Sequence, residues 1–95
     1  MRIIEAIREV PPGKTASYRD IALAAGLPNG ARQVARILHS MSRSERLPWH
    51  RIVKADGRIA FPPGELRDLQ TALLRAEGIA VNDDGTIPRA PEEEA

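Results

Sequence analysis

Three proline- and glycine-rich breaks, Pro11-Pro12-Gly13, Gly26-Leu27-Pro28 and Pro62-Pro63-Gly64, cut this chain into short segments. Proline removes a backbone donor and fixes φ, and glycine admits left-handed backbone, so regular structure has to stop at each break. Between the breaks the apolar spacing is helical. Ile3, Ile4, Ile7 and Val10 predict a short amphipathic helix over residues 2–10. Thr15 to Ser17 reads as a short extended link. Ser17, with Asp20 three positions on, is suited to cap a second helix, whose Ile21, Ala22, Leu23 and Ala25 make one side apolar, and Gly26 closes it. Asn29 is the expected cap of a third helix running to about Ser40, which buries Val34, Ile37 and Leu38 and shows Arg32, Gln33, Arg36 and His39. A short helix, a glycine-containing turn and a second polar-faced helix make the pattern of a helix-turn-helix, which ordinary helix pairs also share.

Residues 41–47 read as a polar loop. Arg51 to Lys54 and Arg58 to Ala60 are strand candidates on either side of Asp56-Gly57, the hairpin expected of a wing. Residues 65–77 predict a last helix with Leu66, Leu69, Leu73 and Leu74 on its apolar side and Gly78 as its cap, and Val81 adds a final extended segment. The expected fold is mainly α with a small β wing, a winged helix-turn-helix spanning residues 1–87. Residues 88–95, with Glu92, Glu93 and Glu94 in a row, are expected to be a disordered acidic tail.

Composition removes several kinds of chemistry. There is no Cys, so disulfides, thiolate metal sites and thiol nucleophiles are excluded. His39 and His50 are the only histidines and neither has a carboxylate at ligand spacing, so no metal and no cofactor is expected. Phosphate-binding loops, dinucleotide fingerprints and a nucleophile elbow are all missing. No apolar run approaches the roughly 20 residues of a membrane span. Met1-Arg2-Ile3-Ile4-Glu5 lacks the apolar stretch of a signal peptide, which gives a cytoplasmic expectation. The net charge of +1 conceals a basic middle: from Lys14 to Arg58 nine basic residues stand against three acidic ones. Such a segment suits a polyanion, or is simply a solvated arginine-rich surface.

The segment Leu47-Pro48-Trp49-His50-Arg51-Ile52-Val53 stands out. Tryptophan usually belongs to a core, and a neighbouring histidine usually makes a structural hydrogen bond. This Trp, however, lies at a loop-to-strand junction outside any periodic apolar face, a place suited to lining a pocket.

With these residues in view, the chain resembles the DNA-binding domain of the O6-alkylguanine-DNA alkyltransferases over roughly residues 7–80. That family carries Pro-Cys-His-Arg, with Cys accepting the alkyl group; here the segment is Pro48-Trp49-His50-Arg51. Trp in that place is the mark of the alkyltransferase-like proteins. Pro12-Gly13-Lys14, Ser17-Tyr18, Ile21-Ala22, Ala31-Arg32-Gln33-Val34, Leu73-Leu74 and Glu77-Gly78 agree in order and spacing. The resemblance implies a non-enzymatic sensor that flips O6-alkylguanine out of duplex DNA and directs it to nucleotide excision repair, with double-stranded DNA and repair proteins as partners and a monomeric state. Flipping costs a few kcal/mol. By the same resemblance Arg32 would occupy the vacated position in the stack, or serve as a phosphate contact. Tyr18 would press on the neighbouring phosphate, or wedge two helices apart, and Gln33 and Arg36 would join the DNA contacts. Trp49, His50, Arg51, Met41, Ile59 and Phe61 are the implied lesion pocket, and Phe61 is equally suited to the core.

The departures at Trp49 and Met41 point away from alkyl transfer, and a third, at Ala60-Phe61-Pro62, changes the pocket wall. An indole cannot become a stable anion near neutral pH as a thiol can. Met41 stands where the transferases keep an Asn that supports the active site, and Ala60-Phe61-Pro62 replaces a Gly- and Tyr-containing loop. His50 and Glu77, which help activate the thiol in the transferases, are expected to serve a buried hydrogen-bond network here. Two rival readings are a helix-turn-helix transcription factor reading undamaged sequence, and an enzyme such as an unusual transferase or a glycosylase. The first leaves Pro48-Trp49-His50-Arg51 without a role. The second lacks both a thiol and an Asp near the presumed pocket.

Overall fold

The structure is a computed structural model and describes residues 2–88. Its elements in chain order are α1 (Arg2–Arg8), β1 (Ala16–Ser17), α2 (Tyr18–Ala24), α3 (Ala31–Met41), a single 3-10 turn (Trp49–Arg51), β2 (Ile52–Val53) and α4 (Glu65–Ala76). The fold is mostly helical with one small sheet, as expected. Residues 89–95, most of the expected acidic tail, lie outside the described residues. Among the described residues no helix is long and apolar enough to cross a membrane.

Helices α1, α2 and α3 surround the main core of Ile3, Ile4, Ile7, Val10, Ile21, Ala22, Ala25, Val34, Leu38, Leu47 and Ile52. Ser17 caps α2 as its sequence implies. Its hydroxyl accepts from the Asp20 amide at 2.9 Å, and the Asp20 carboxylate accepts from the Ser17 amide at 3.0 Å, so two otherwise orphaned donors are satisfied. Three helical segments end in the same geometry. The amides of Gly26 and Leu27 reach back to the carbonyls of Leu23 and Ala22. Gly78 and Ile79 bond Arg75 and Leu74 in the same way, and Arg46 and Leu47 bond Arg43 and Ser42. The first two place glycine in the left-handed slot, at φ of 77° and 83°. The third places Arg46 there, at φ of 51°.

Four expectations are corrected. Gly30, not Asn29, is the N-cap of α3. Gly30 is buried against the preceding turn, where a Cβ would lie 2.8 Å from Leu27 Cβ and 3.0 Å from the Leu27 carbonyl, so the helix entry is fixed by space and not by a capping side chain. Second, β2 does not pair with residues 58–60. It runs parallel to β1, with Ala16 opposite Ile52 and Ser17 opposite Val53, and the connection between them carries α2 and α3. Ile52 and Val53 are both buried, so the alternation that a half-exposed hairpin strand needs is missing. Of the expected wing hairpin there remain the turn at Lys54–Gly57, a bond from the Lys54 amide to the Arg58 carbonyl at 2.9 Å, and an antiparallel bridge from Arg58 to Thr86. Third, Val81 is buried with Ile59 and Leu74 in a small second core and forms no strand. Fourth, Leu23, Leu66 and Leu69 are exposed, at 51%, 54% and 48%. The first turns of α4 overhang the core, and Leu74 is the leucine of that helix that the core encloses.

Two substitutions test this geometry in opposite directions. Arg46→Gly should raise stability by about 1 kcal/mol, since a left-handed L-residue costs that much and glycine does not. Gly30→Ala should lower it by about 1–3 kcal/mol through overpacking against Leu27. Urea midpoints at constant slope check both.

Candidate DNA-lesion site

The residue types that resemble a nucleic-acid site gather on α3. Its buried side is Val34 and Leu38, with Ile37 and Met41 half-buried against the core. At 100° per residue the opposite side carries Arg32, Arg36 and His39, and Arg43 follows two residues past the helix end; all four are exposed. Among the described residues none of these four takes part in an ion pair. They form an uncompensated basic stripe that begins in the first turn of the helix.

A cavity of about 1060 Å³ opens beside the C-terminal half of α3. Tyr18, Leu38, His39, Arg43, Arg46, Trp49, Phe61, Leu66 and Leu69 are among its lining residues, and no carboxylate is. Trp49 meets Phe61 edge to face, with ring centres 6.0 Å apart and planes at 82°. An arrangement of this kind contributes roughly 0.5–1.5 kcal/mol beyond simple burial. Tyr18 is the first residue of α2, and burial raises its phenol pKa above the usual tyrosine value. The hydroxyl therefore stays protonated at neutral pH and remains a donor.

Behind Trp49 lies a network that the cavity does not touch. The Glu77 carboxylate, at the C-cap of α4, accepts from Arg51 Nη2 at 2.8 Å and from Arg51 Nε at 3.0 and 3.2 Å. It lies 2.7 Å from His50 Nε2 and accepts from the Gly13 amide at 3.0 Å. Arg51 Nη1 donates onward to the Val10 carbonyl at 3.0 Å. Gln70, 1% exposed, donates to the carbonyls of His50 and Ile52 at 3.0 and 3.1 Å. The turn that presents Trp49 is thus held from behind by α4 and by the Pro12-Gly13 turn. The expected His50–Glu77 network is present, and Arg51 is its strongest member.

The candidate residues therefore divide. Trp49, Phe61 and Tyr18 share the cavity. His50 and Arg51 do not line it, because their polar atoms are engaged by Glu77. Met41 belongs to the helix side that meets the main core, and Ile59, 7% exposed, packs in the second core; neither lines the cavity. Gln33 and Arg36 line a smaller groove of about 490 Å³ with Arg2, Ile3, Leu27 and Ile37. Arg32 is exposed and lines neither. The sequence reading did not assign Gln70, Arg43, Arg46, Leu66 or Leu69. For Gln70 a signal existed, a polar residue within the apolar stripe of a helix. The two leucines gave none, since their spacing is that of core residues.

The model of the family described as "6-O-methylguanine DNA methyltransferase, DNA binding domain" matches residues 1–79, and the chain belongs to that family. A DNA base-flipping protein of Vibrio parahaemolyticus is 37% identical over 87 residues, which is 92% of this chain and 86% of that one. Alkyltransferase-like protein 1 of Schizosaccharomyces pombe is 32% identical over 83 residues, 84% of this chain and 75% of that one. The crystal structure of S. pombe Atl1 in complex with damaged DNA containing O6-carboxymethylguanine is similar with a TM-score of 0.78 and 27% identity, over 97% of this chain and 88% of that one. The alkyltransferase-like resemblance is thereby shown.

The carboxylate network predicts an acid limit to stability. The Arg51 hydrogen bonds, opposed by desolvation and assisted by Gly13 and His50, lower the Glu77 pKa from 4.5 to about 2. A carboxylate whose pKa falls on folding contributes stability that is complete above its unfolded value. That contribution is lost as pH drops from about 4.5 towards about 2. The urea midpoint should fall across that window, and Glu77→Gln should start lower and fall less. Equal slopes for the two proteins would show that other carboxylates set the limit.

Proposed function

We propose that this protein is a non-enzymatic sensor of O6-alkylguanine in duplex DNA: it rotates the damaged base into the cavity beside Trp49 and transfers nothing from it. The observation that carries this reading is Trp49 itself. It lies between Pro48 and His50-Arg51 and lines a cavity free of carboxylates, in a chain with no Cys. An acceptor thiolate is missing and no other residue in the cavity is an activated nucleophile, while an aromatic face for a flipped base is present. The name of the V. parahaemolyticus relative and the damaged DNA bound by S. pombe Atl1 support the same reading.

This reading gives each residue a role. Arg32, in the first turn of α3 and free of ion pairs among the described residues, enters the stack and takes the place of the extruded base. Tyr18, held protonated, donates to the phosphate beside the flipped nucleotide. Arg36, Arg43 and Arg46 supply charge along the backbone. A protein that binds a lesion without removing it needs an excising system downstream, and we include in the proposal that this is nucleotide excision repair. We further place the protein in the cytoplasm as a monomer, with residues 1–87 as one working domain and one cavity for one lesion.

The test is a titration with a duplex carrying one O6-methylguanine and with the same duplex carrying guanine, at fixed salt, reading Trp49 fluorescence and affinity together. Tighter binding of the lesion with a change in Trp49 emission is expected. Arg32→Ala should weaken lesion binding by roughly 10- to 100-fold, the loss expected when a central anchor residue is truncated. Equal affinity for both duplexes with unchanged emission would reject lesion sensing, and selection of one undamaged sequence would favour a transcription factor. Alteration of the base after incubation would indicate an enzyme.

A further inference from the structure

Among the described residues Arg46 is the one residue other than glycine with left-handed backbone, at φ of 51°. Its side chain is exposed, makes no ion pair among the described residues and lines the Trp49 cavity beside Arg43. An L-residue stays in that region only where its surroundings hold it there. Here both peptide planes that flank its Cα are pinned. The Glu45–Arg46 peptide donates its amide to the Arg43 carbonyl at 3.3 Å, and its carbonyl accepts from Arg8 Nη2 at 3.0 Å. The Arg46–Leu47 peptide donates to the Ser42 carbonyl at 2.9 Å, and the Leu47 side chain is buried in the main core. The bond from Arg8 is the one long-range member of this set. It comes from the last residue of α1, 37 positions away, and the same Nη2 reaches Glu45 Oε1 at 3.0 Å. As an ion pair this contact contributes little, since the two side chains are 51% and 38% exposed and water screens them. Its place in the chain matters more: the carbonyl that Arg8 holds belongs to the peptide whose orientation sets φ at Arg46.

We infer that Arg8 and Glu45 are positioning residues: they lock the peptide before Arg46, so that its guanidinium is preset at the cavity to take a backbone phosphate of the bound strand. This rests on the reading above that duplex DNA is the ligand. A guanidinium meets a phosphate through two parallel hydrogen bonds, which makes the contact sensitive to where the fork is aimed. An arginine free to relax to right-handed backbone has to be ordered at the moment of binding, and affinity falls accordingly. Glycine fills the left-handed slot without strain, but it leaves the cavity without this charge. The clamp from α1 thus acts on binding through Arg46 and touches no DNA itself.

The experiment measures affinity across a salt series for one duplex carrying O6-methylguanine and for the same duplex carrying guanine. The proteins are the unaltered chain, Arg46→Gly, Arg8→Ala and the double variant, each with a thermal melt. Arg46→Gly should melt no lower than the unaltered protein, bind both duplexes roughly 10-fold more weakly and reduce the salt slope by about 1. Arg8→Ala should melt close to the unaltered protein and still lose roughly 5-fold in affinity. In the Arg46→Gly background the same Arg8→Ala change should cost under about 2-fold, because the side chain it positions is gone. Equal losses from Arg8→Ala in both backgrounds would overturn the inference, since a separate DNA contact or a long-range charge effect adds to the loss of Arg46. Full affinity in Arg8→Ala would overturn it too, and an unchanged salt slope in Arg46→Gly would remove the phosphate contact on which it depends. Equal affinity of the unaltered protein for the two duplexes rejects lesion sensing and leaves the clamp to stand or fall on the four-protein comparison.

Discussion

The cavity depends on one carboxylate. Glu77 sits at the C-cap of α4, where the helix dipole disfavours negative charge. The Arg51 fork, the His50 ring and the Gly13 amide reverse that preference and hold its pKa down at about 2. The side chain is 17% exposed, so this is a partly desolvated network and stronger than a surface ion pair. Through it the end of α1, the Pro12-Gly13 turn, the Trp49–Arg51 turn and α4 are joined at one point. Removing the carboxylate would leave a guanidinium with 15% of its side chain exposed and no counter-charge, and the turn that presents Trp49 would lose its support.

That arrangement gives His50 and Glu77 a structural place in a chain with no Cys. In the transferases the corresponding His and Glu help to activate a cysteine; here the same pair holds a backbone turn in place. Gln70 reinforces it by donating to the His50 and Ile52 carbonyls on either side of Arg51. With the turn fixed from behind, the front of Trp49 is free to serve as a surface. Phe61 gives it an edge-to-face neighbour.

Helix α3 borders two separate grooves of the molecule. Its inward residues seal the main core, and its outward stripe of Arg32, Arg36 and His39, continued by Arg43 just past its end, takes part in no ion pair among the described residues. Gln33 and Arg36 lean towards the groove shared with α1, while His39 and Arg43 border the Trp49 cavity. At its end the chain accepts Arg46 in a left-handed slot that glycine fills more easily, and that arginine joins the cavity lining. Strain of this kind tends to gather where a side chain has work to do.

The sequence by itself determined the local structure. The breaks at Pro11-Pro12-Gly13 and Pro62-Pro63-Gly64, the Ser17–Asp20 cap and the helical spacing of Ile3, Ile4 and Ile7 are interactions within a few residues, and they hold as read. The loss of thiol chemistry was equally legible, because it follows from composition alone. Only the tertiary structure decided which way each functional side chain turned. Arg51 and His50 read as pocket residues beside Trp49, yet Glu77, 26 and 27 positions away, draws them to the other side. Leu66 and Leu69 carry core spacing, yet α4 extends past the core and leaves them to the cavity. Ile52 and Val53 find their partner strand 36 positions earlier in the chain, not across the nearby Asp56-Gly57 turn. Periodicity records which residues share a face; what that face meets is set by contacts between distant segments, and those form only when the chain closes on itself.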